Sequence, residues 1–250
     1  MTPGRAIIFG ASGGLGGALA AQLASQGWSV DKVNRADCDL ADPASVANWL
    51  AVATLDQQPI DLCVFAAGAS EAGRLDDLPA NAFRRCMEIN FHSVVMILLG
   101  LSRRAHLPCR QFICVLSGTA DLLLAGLGPY SLAKRSLRDW LYFRRLEGSL
   151  PDVYILEVWP GPMQTRFNQA TRKYGTITLA APLRARSPQE VASRVLSAFD
   201  RRTNRLVLSS LPQIAGAVQS LCPGIWLRLA RLAQKISGRS TPTPKSPDRR

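Results

Sequence analysis

This chain is short of metal ligands. It has two histidines, His92 and His106, and six scattered cysteines: Cys38, Cys63, Cys86, Cys109, Cys114 and Cys222. None of them forms a Cys-x-x-Cys pair or a Cys/His cluster, so no metal site is expected. Most of the cysteines sit inside apolar runs, which suits buried free thiols and a reducing, cytoplasmic setting. The two histidines read as structural or surface residues. Acidic residues are scarce in the second half. Residues 161–250 hold sixteen Lys and Arg against three Asp and Glu, whereas residues 1–125 hold nine against eleven. A positive field of that kind attracts anionic cofactors, acidic carrier proteins or phospholipid head groups, or it marks solvated arginine-rich faces. There is no internal repeat, zinc finger or RNA-binding signature, so nucleic acid is not an expected partner. No secretory leader is expected either, because "RAIIFG" at 5–10 already reads as a buried strand.

What is present is an alternation of apolar strands and amphipathic helices. "RAIIFG", "IDLCVFAAG", "RQFICVLS" and "DVYILEVWPGP" are strand-like, and "WSVDKVN" is less apolar and so nearer an edge. A short strand is expected in "DCDL" at 37–40, followed by Asp42 as N-cap and Pro43 at the first helical position. Helices are expected from Leu15 to Gln26, over 80–104, from Tyr130 to Glu147 and, opening with Ser187-Pro188, over 188–200, with "NRLVLS" as a last strand. Strands linked by crossover helices imply an α/β fold: a Rossmann-type, doubly wound parallel sheet with helices on both faces.

Two stretches carry chemistry. "FGASGGLGG" places Gly10, Gly14 and Gly16 at the first strand-to-helix junction, with Ser12, Gly13 and Leu15 between them. Glycines there let backbone approach a pyrophosphate, and the helix N-terminus offers free N–H groups. After the second strand, "VNR" offers Asn34 and Arg35 where an NAD-binding chain has an acid. Asn34 removes a repelling carboxylate and Arg35 supplies a planar cation for a 2′-phosphate. NADP(H) is therefore favoured, with NAD(H) as the alternative if Arg35 is only a surface arginine beside Asp37 and Asp39. The second stretch is "YSLAK", which sets Tyr130 and Lys134 one helical turn apart. Taken alone it is a catalytic pair or a packing pair.

In this order the motifs resemble those of the short-chain dehydrogenase/reductase family in its compact single-domain form, over about residues 5–209. The glycine turn from Gly10 to Gly16 matches, with Phe9 where the family has Thr. Asp39-Leu40 matches the pair that touches adenine. "FAAG" at 65–68 stands where the family has N-N-A-G, so Phe65 and Ala66 depart and lose polar groups that brace the sheet in relatives, as Phe9 loses a hydrogen bond, while Ala67 and Gly68 agree. "EIN" ends at Asn90, Ser117 precedes Tyr130 by thirteen residues, and "WPGPMQT" supplies Pro160, Gly161, Met163 and Thr165 at the nicotinamide end.

The resemblance implies an oxidoreductase acting on a carbonyl or alcohol substrate, with Asn90, Ser117, Tyr130 and Lys134 as its catalytic set. Tyr130 would be the acid/base. A unit charge about 4 Å away supplies roughly 4 kcal/mol at an effective dielectric near 20, enough to bring a phenol from ~10 to near ~7. Lys134 would supply that charge and hold the nicotinamide ribose. Ser117 would orient the substrate oxygen, and Asn90 would hold a water linking Lys134 to solvent. Relatives pair through the helices near 85–104 and 130–147, which implies a homodimer or homotetramer. The altered 65–68 segment motivates the alternative of a non-catalytic NADP-binding scaffold or redox sensor.

Three segments are expected: a catalytic domain over 1–209, an amphipathic helical extension over 210–236 and a disordered basic tail over 237–250. From Leu206 to Leu227 there is no charge, but Pro212 and Pro223 interrupt that run and argue against a membrane span. In "IWLRLARLAQKI" at 225–236, an apolar stripe runs beside Arg228, Arg231 and Lys235. Such a helix packs on its own domain, covers the substrate pocket as a lid, joins subunits or makes peripheral contact with a membrane. The loop at about 163–186 is the one expected to close on substrate.

Overall fold

The computed structural model describes residues 3–55, 58–175 and 185–228. The expected tail at 237–250, most of the 225–236 helix and the middle of the 163–186 loop lie outside the described residues. Six strands form one parallel sheet in the order β2-β1-β3-β5-β6-β8. They are β1 (Arg5–Phe9), β2 (Ser29–Val33), β3 (Leu62–Phe65), β5 (Gln111–Val115), β6 (Tyr154–Trp159) and β8 (Arg205–Val207). The half-apolar β2 takes an edge, as its composition requires. β3, apolar at all four positions, is fully buried between β1 and β5.

Helices cover both faces. α1 (Gly14–Ser25) and α7 (Pro188–Asp200) pack together on one side, over Ile8, Leu62, Val64, Ile113, Leu156 and Val158. α2 (Pro43–Leu55), α4 (Ser93–Ser102) and α5 (Gly128–Leu146) cover the other side, over Ile7, Phe65, Phe112, Cys114, Ile155 and Trp159. Alternate residues of each strand serve opposite cores, as the pleat dictates. The caps are local: Asp42 accepts from the Ala44 N–H at 3.0 Å, and Ser187 accepts from the Glu190 N–H at 3.1 Å.

The helix expected over 80–104 runs as α3 (Ala80–Met87) and α4, joined by one π turn at Glu88–His92. The strand expected at 37–40 does not form. Its polar groups close turns instead: Asn34 N–H donates to Asp37, Ala36 N–H to the Asn34 side chain, and Ala41 N–H to Asp39. Those bonds satisfy the backbone locally and leave nothing to pair with β2. A two-stranded sheet that periodicity did not foreshadow joins β4 (Glu71–Ala72) to β7 (Arg172–Lys173), next to α6 (Phe167–Ala170).

The positions that depart from the family pattern are packed together. Phe9 stacks on Phe65 at 5.6 Å, Phe65 on Phe112 at 6.3 Å, and Trp49 meets Phe9 edge-on at 4.9 Å. This aromatic stack occupies the sheet where polar bracing was expected to be missing. Five cysteines are buried free thiols and Cys222 is exposed. Among the described residues no helix is long and apolar enough to cross a membrane, and no cluster of potential metal ligands occurs.

Candidate active site

The C-terminal ends of the parallel strands open onto one cleft of about 1330 Å³. This is where open α/β sheets bind ligands, because helix N-termini and strand-end loops converge there. Gly10 has φ +88°, and a Cβ there would stand 2.5 Å from Ala67 N. Only glycine fits this contact between the β1 and β3 loops. Gly14 opens α1 at φ +53° with Thr165 beside it, and a Cβ built on Gly13 would meet nothing within 4 Å. No side chain caps α1, so no side chain claims the amides of its first residues, Gly14 and Leu15, at the cleft.

Ser12, Leu15, Asn34, Arg35, Asp39, Leu40, Ala66, Ala67, Gly68, Pro160, Gly161, Met163 and Thr165 line the same cleft as Gly10, Gly13 and Gly14. Gly16 does not line it. A Cβ on Gly16 would meet Gly10 O at 2.2 Å, so it serves the packing of α1 on the turn. Arg35 is exposed and paired with Asp39 at 2.9 Å. Burial pulls the Asp39 carboxyl upward, but the Ala41 N–H and Arg35 outweigh it and hold the carboxyl below its ordinary value.

At the other end of the cleft, Tyr130 and Lys134 project from the first turns of α5, and Ser117 ends the β5 segment. Ser117 Oγ accepts from Thr119 Oγ1 at 3.0 Å and from Thr119 N–H at 3.2 Å. Its own O–H is left to donate, and its hydrogen bond to Tyr130 favours the phenolate. Burial is the larger influence and pushes the phenol up to about 12. The fall toward neutrality expected from Lys134 is therefore not found. The Lys134 ammonium donates to Val115 O at 2.8 Å, and burial pushes it down to about 8. Both groups are almost fully buried, so desolvation dominates each. Phe167 packs against the Tyr130 ring at 5.4 Å.

Asn90 stands behind the wall of the cleft, fully buried in the π turn. Its Nδ2 donates to Ala69 O at 2.8 Å and to Cys86 O at 2.9 Å, and its Oδ1 has no hydrogen-bond partner. A buried acceptor left open beside the site is an attachment point for a donor. His92 pairs with Glu88 at the surface and His106 is exposed, both away from the cleft.

Several residues in and behind the walls of the cleft escaped sequence reasoning. Glu71, fully buried in β4, accepts from Arg85 Nε and from the Tyr174 hydroxyl, each at 3.0 Å. It thereby ties the loop after β3 to the loop after β6, which face each other across the cleft. Leu122, Leu124, Leu127 and Pro212 form an apolar wall near Ser117. Pro212 belongs to α8 (Leu211–Leu221), which packs on the 118–123 segment. The uncharged run from Leu206 to Leu227 was the available signal, since a helix without charges beside a cleft is wall material.

Residues 31–174 match the profile of the family described as short chain dehydrogenase. A probable short-chain type dehydrogenase/reductase, VdlC, of Helicobacter pylori is 23% identical, over 92% of this chain and 98% of its own. A dehydrogenase/reductase SDR family member 7B of mouse is 24% identical over 76% of this chain, a match that spans only 61% of the mouse protein. In fold, a short-chain dehydrogenase from Sphingobium yanoikuyae, solved in complex with NADPH, superposes with TM-score 0.66 at 19% identity, covering 98% of this chain and 99% of its own. An alcohol dehydrogenase from Thermococcus sibiricus, complexed with 5-hydroxy-NADP, superposes with TM-score 0.64 at 22% identity, over 84% and 97%. With more than half of its length matched by the family profile, the chain belongs to the short-chain dehydrogenase/reductase family.

Proposed function

We propose that this protein is an NADP(H)-dependent oxidoreductase that interconverts a ketone or aldehyde and an alcohol. The observation that carries this reading is the common cleft. Ser117, Tyr130 and Lys134 open into the same space as the glycine turn and Arg35. The residues fit the cofactor. Uncapped amides of α1 and the bare backbone at Gly10 and Gly14 suit a pyrophosphate. Arg35, with Asn34 beside it, suits a 2′-phosphate. Asp39 and Leu40 would border the adenine, Ala66 to Gly68 the middle of the cofactor, and Pro160, Gly161, Met163 and Thr165 its nicotinamide end. When bound, the cofactor supplies or accepts the hydride.

The chain's own part is positioning and proton transfer. Tyr130, kept protonated by burial, holds a proton at its phenol oxygen for a substrate oxygen that becomes more basic than a phenolate. Ser117, fixed by Thr119, donates toward that oxygen and stabilises its developing charge. Lys134 keeps two N–H groups beyond its bond to Val115 and offers them to the cofactor ribose. The open Oδ1 of Asn90 would anchor a water on the proton path.

Residues 1–209 are assigned as the catalytic unit. Tyr142, Phe143 and Leu146 leave apolar surface exposed on α5, which supports pairing of subunits through that helix. The test is NADPH consumption over a panel of ketones and aldehydes, with NADH as control. Tyr130→Phe should lower turnover about 10²–10⁴-fold while NADPH still binds. Unchanged turnover in that variant overturns the reading.

A further inference from the structure

α8 has an inner and an outer face. On the inner face, Pro212 lies against Gly118, where a Cβ would be 2.6 Å from Pro212 Cγ, and Gly216 fits against Asp121 O, where a Cβ would be 2.4 Å away. Gln213 donates to Asp121 at 3.1 Å, and Gln219 both accepts from and donates to the Leu123 backbone, at 2.9 and 3.1 Å. The helix is therefore fixed to the loop that follows Ser117. The outer face carries Leu211, Ile214, Val218 and Leu221, spaced three, four and three, and they are 74%, 60%, 46% and 82% exposed. Ile225 and Leu227 extend the exposed apolar surface.

The surface continues toward the site. Leu123 and Leu124 on the bracketed loop are exposed, and Leu124 also lines the cleft with Leu122 and Leu127. No charged residue occurs from 122 to 133 or from 206 to 227. Beyond that, the sequence carries Arg228, Arg231, Lys235, Arg239, Lys245, Arg249 and Arg250 against Asp248 alone. An uncharged apolar stripe followed by cations is complementary to an anionic bilayer, with acyl chains for the stripe and phosphates for the cations. A second copy of the chain fits less well, because it would bring two tracts of like charge together.

We propose that the outer face of α8 docks the protein on an anionic lipid surface and sets the substrate end of the cleft beside the acyl region. The substrate is then a carbonyl or alcohol on a long apolar chain, drawn from the lipid phase. This second part rests on the oxidoreductase reading above.

The test is co-sedimentation of the full chain with phosphatidylcholine vesicles, with and without about a third phosphatidylglycerol. The wild type should bind the anionic vesicles roughly tenfold better, and Ile214→Gln/Val218→Gln/Leu221→Gln should lose about tenfold of that binding. None of the three residues lines the cleft. The triple variant should keep its rate on a small water-soluble carbonyl and lose about tenfold on a long-chain carbonyl held in vesicles. Equal binding by wild type and variant overturns the docking proposal, as does a wild-type oligomer that the variant splits into monomers. Vesicle binding by a wild type that reduces no carbonyl supports docking and removes the oxidoreductase reading instead.

Discussion

Lys134 Nζ lies 2.8 Å from the carbonyl oxygen of Val115, the last residue of β5, in a site 3% exposed. Burial lowers the ammonium from 10.5 to about 8. Its folded value lies below its unfolded value, so between those limits the unfolded chain holds a proton that the folded chain has released. Stability should rise with pH across that window, recovering about 3 kcal/mol in all. Above pH 10 Tyr130 acts in the opposite sense, because its raised value makes the folded state lose stability as the solution becomes more basic. Lys134→Met removes the buried cation but strands Val115 O. At pH 7 the variant should be more stable by about 1–2 kcal/mol, with no rise toward pH 10. Urea melts across pH check both statements, and a variant weaker than wild type at pH 7 refutes them.

Thr119 is a positioning residue for Ser117, because both of its donors converge on Ser117 Oγ. Thr119→Val keeps the shape and removes one donor. Turnover of a carbonyl substrate should fall about tenfold, the equivalent of one hydrogen bond, with KM for NADPH unchanged. Thr119→Ser should restore it. A purely structural role would lower the melting temperature in both variants alike.

Arg35 is held at the edge of the cleft by Asp39. Removing it as Arg35→Ala should raise KM for NADPH about 10–100-fold, the value of a charge-assisted hydrogen bond, and leave KM for NADH nearly unchanged. Equal losses with both cofactors would show that Arg35 serves the loop and not the 2′-phosphate.

Gly216 fits against Asp121 O with no room for a side chain. Gly216→Val should displace α8 or strain it, at about 1–3 kcal/mol. Because the same segment begins at Ser117, turnover should fall together with the melting temperature. Thermal melts alongside steady-state rates test the coupling, and a lowered melting temperature with intact rates would show that α8 does not support the site.

Much of the α/β architecture could be read from the chain. Apolar runs marked β1, β3, β5 and β6, and the Ser187-Pro188 start fixed α7 to the residue. The parts that could not be read depend on contacts distant in sequence. The β4–β7 pair is two residues long on each side and follows from Glu71 meeting Arg85 and Tyr174, which no periodicity announces. At 37–40 a short strand was expected, and the side chains of Asn34, Asp37 and Asp39 close turns instead. Phe9 and Phe65 each looked like a loss when read singly, and only the sheet shows that they stack on each other. For Tyr130, the sequence supplied the partner but not the burial, and burial decides the direction of its shift.

The π turn at Glu88–His92 also has a consequence for chain length. A π turn adds one residue to a helix without unravelling it, so Ala80 to Ser102 contains one residue more than an unbroken α-helix over the same path. Deleting one residue from 88–92 would return the segment to a regular helix and keep Val94, Ile97, Leu98 and Leu101 helical. Because the π turn holds that residue as a local excess, the two halves would keep their phase and only the bulge would be lost. Asn90, which reaches Ala69 O and Cys86 O from within the bulge, would lose the local geometry that sets those two contacts. In this helix a single-residue deletion is therefore a local change: the packing of both halves can absorb it, while the placement of Asn90 beside the cleft depends on the bulge itself.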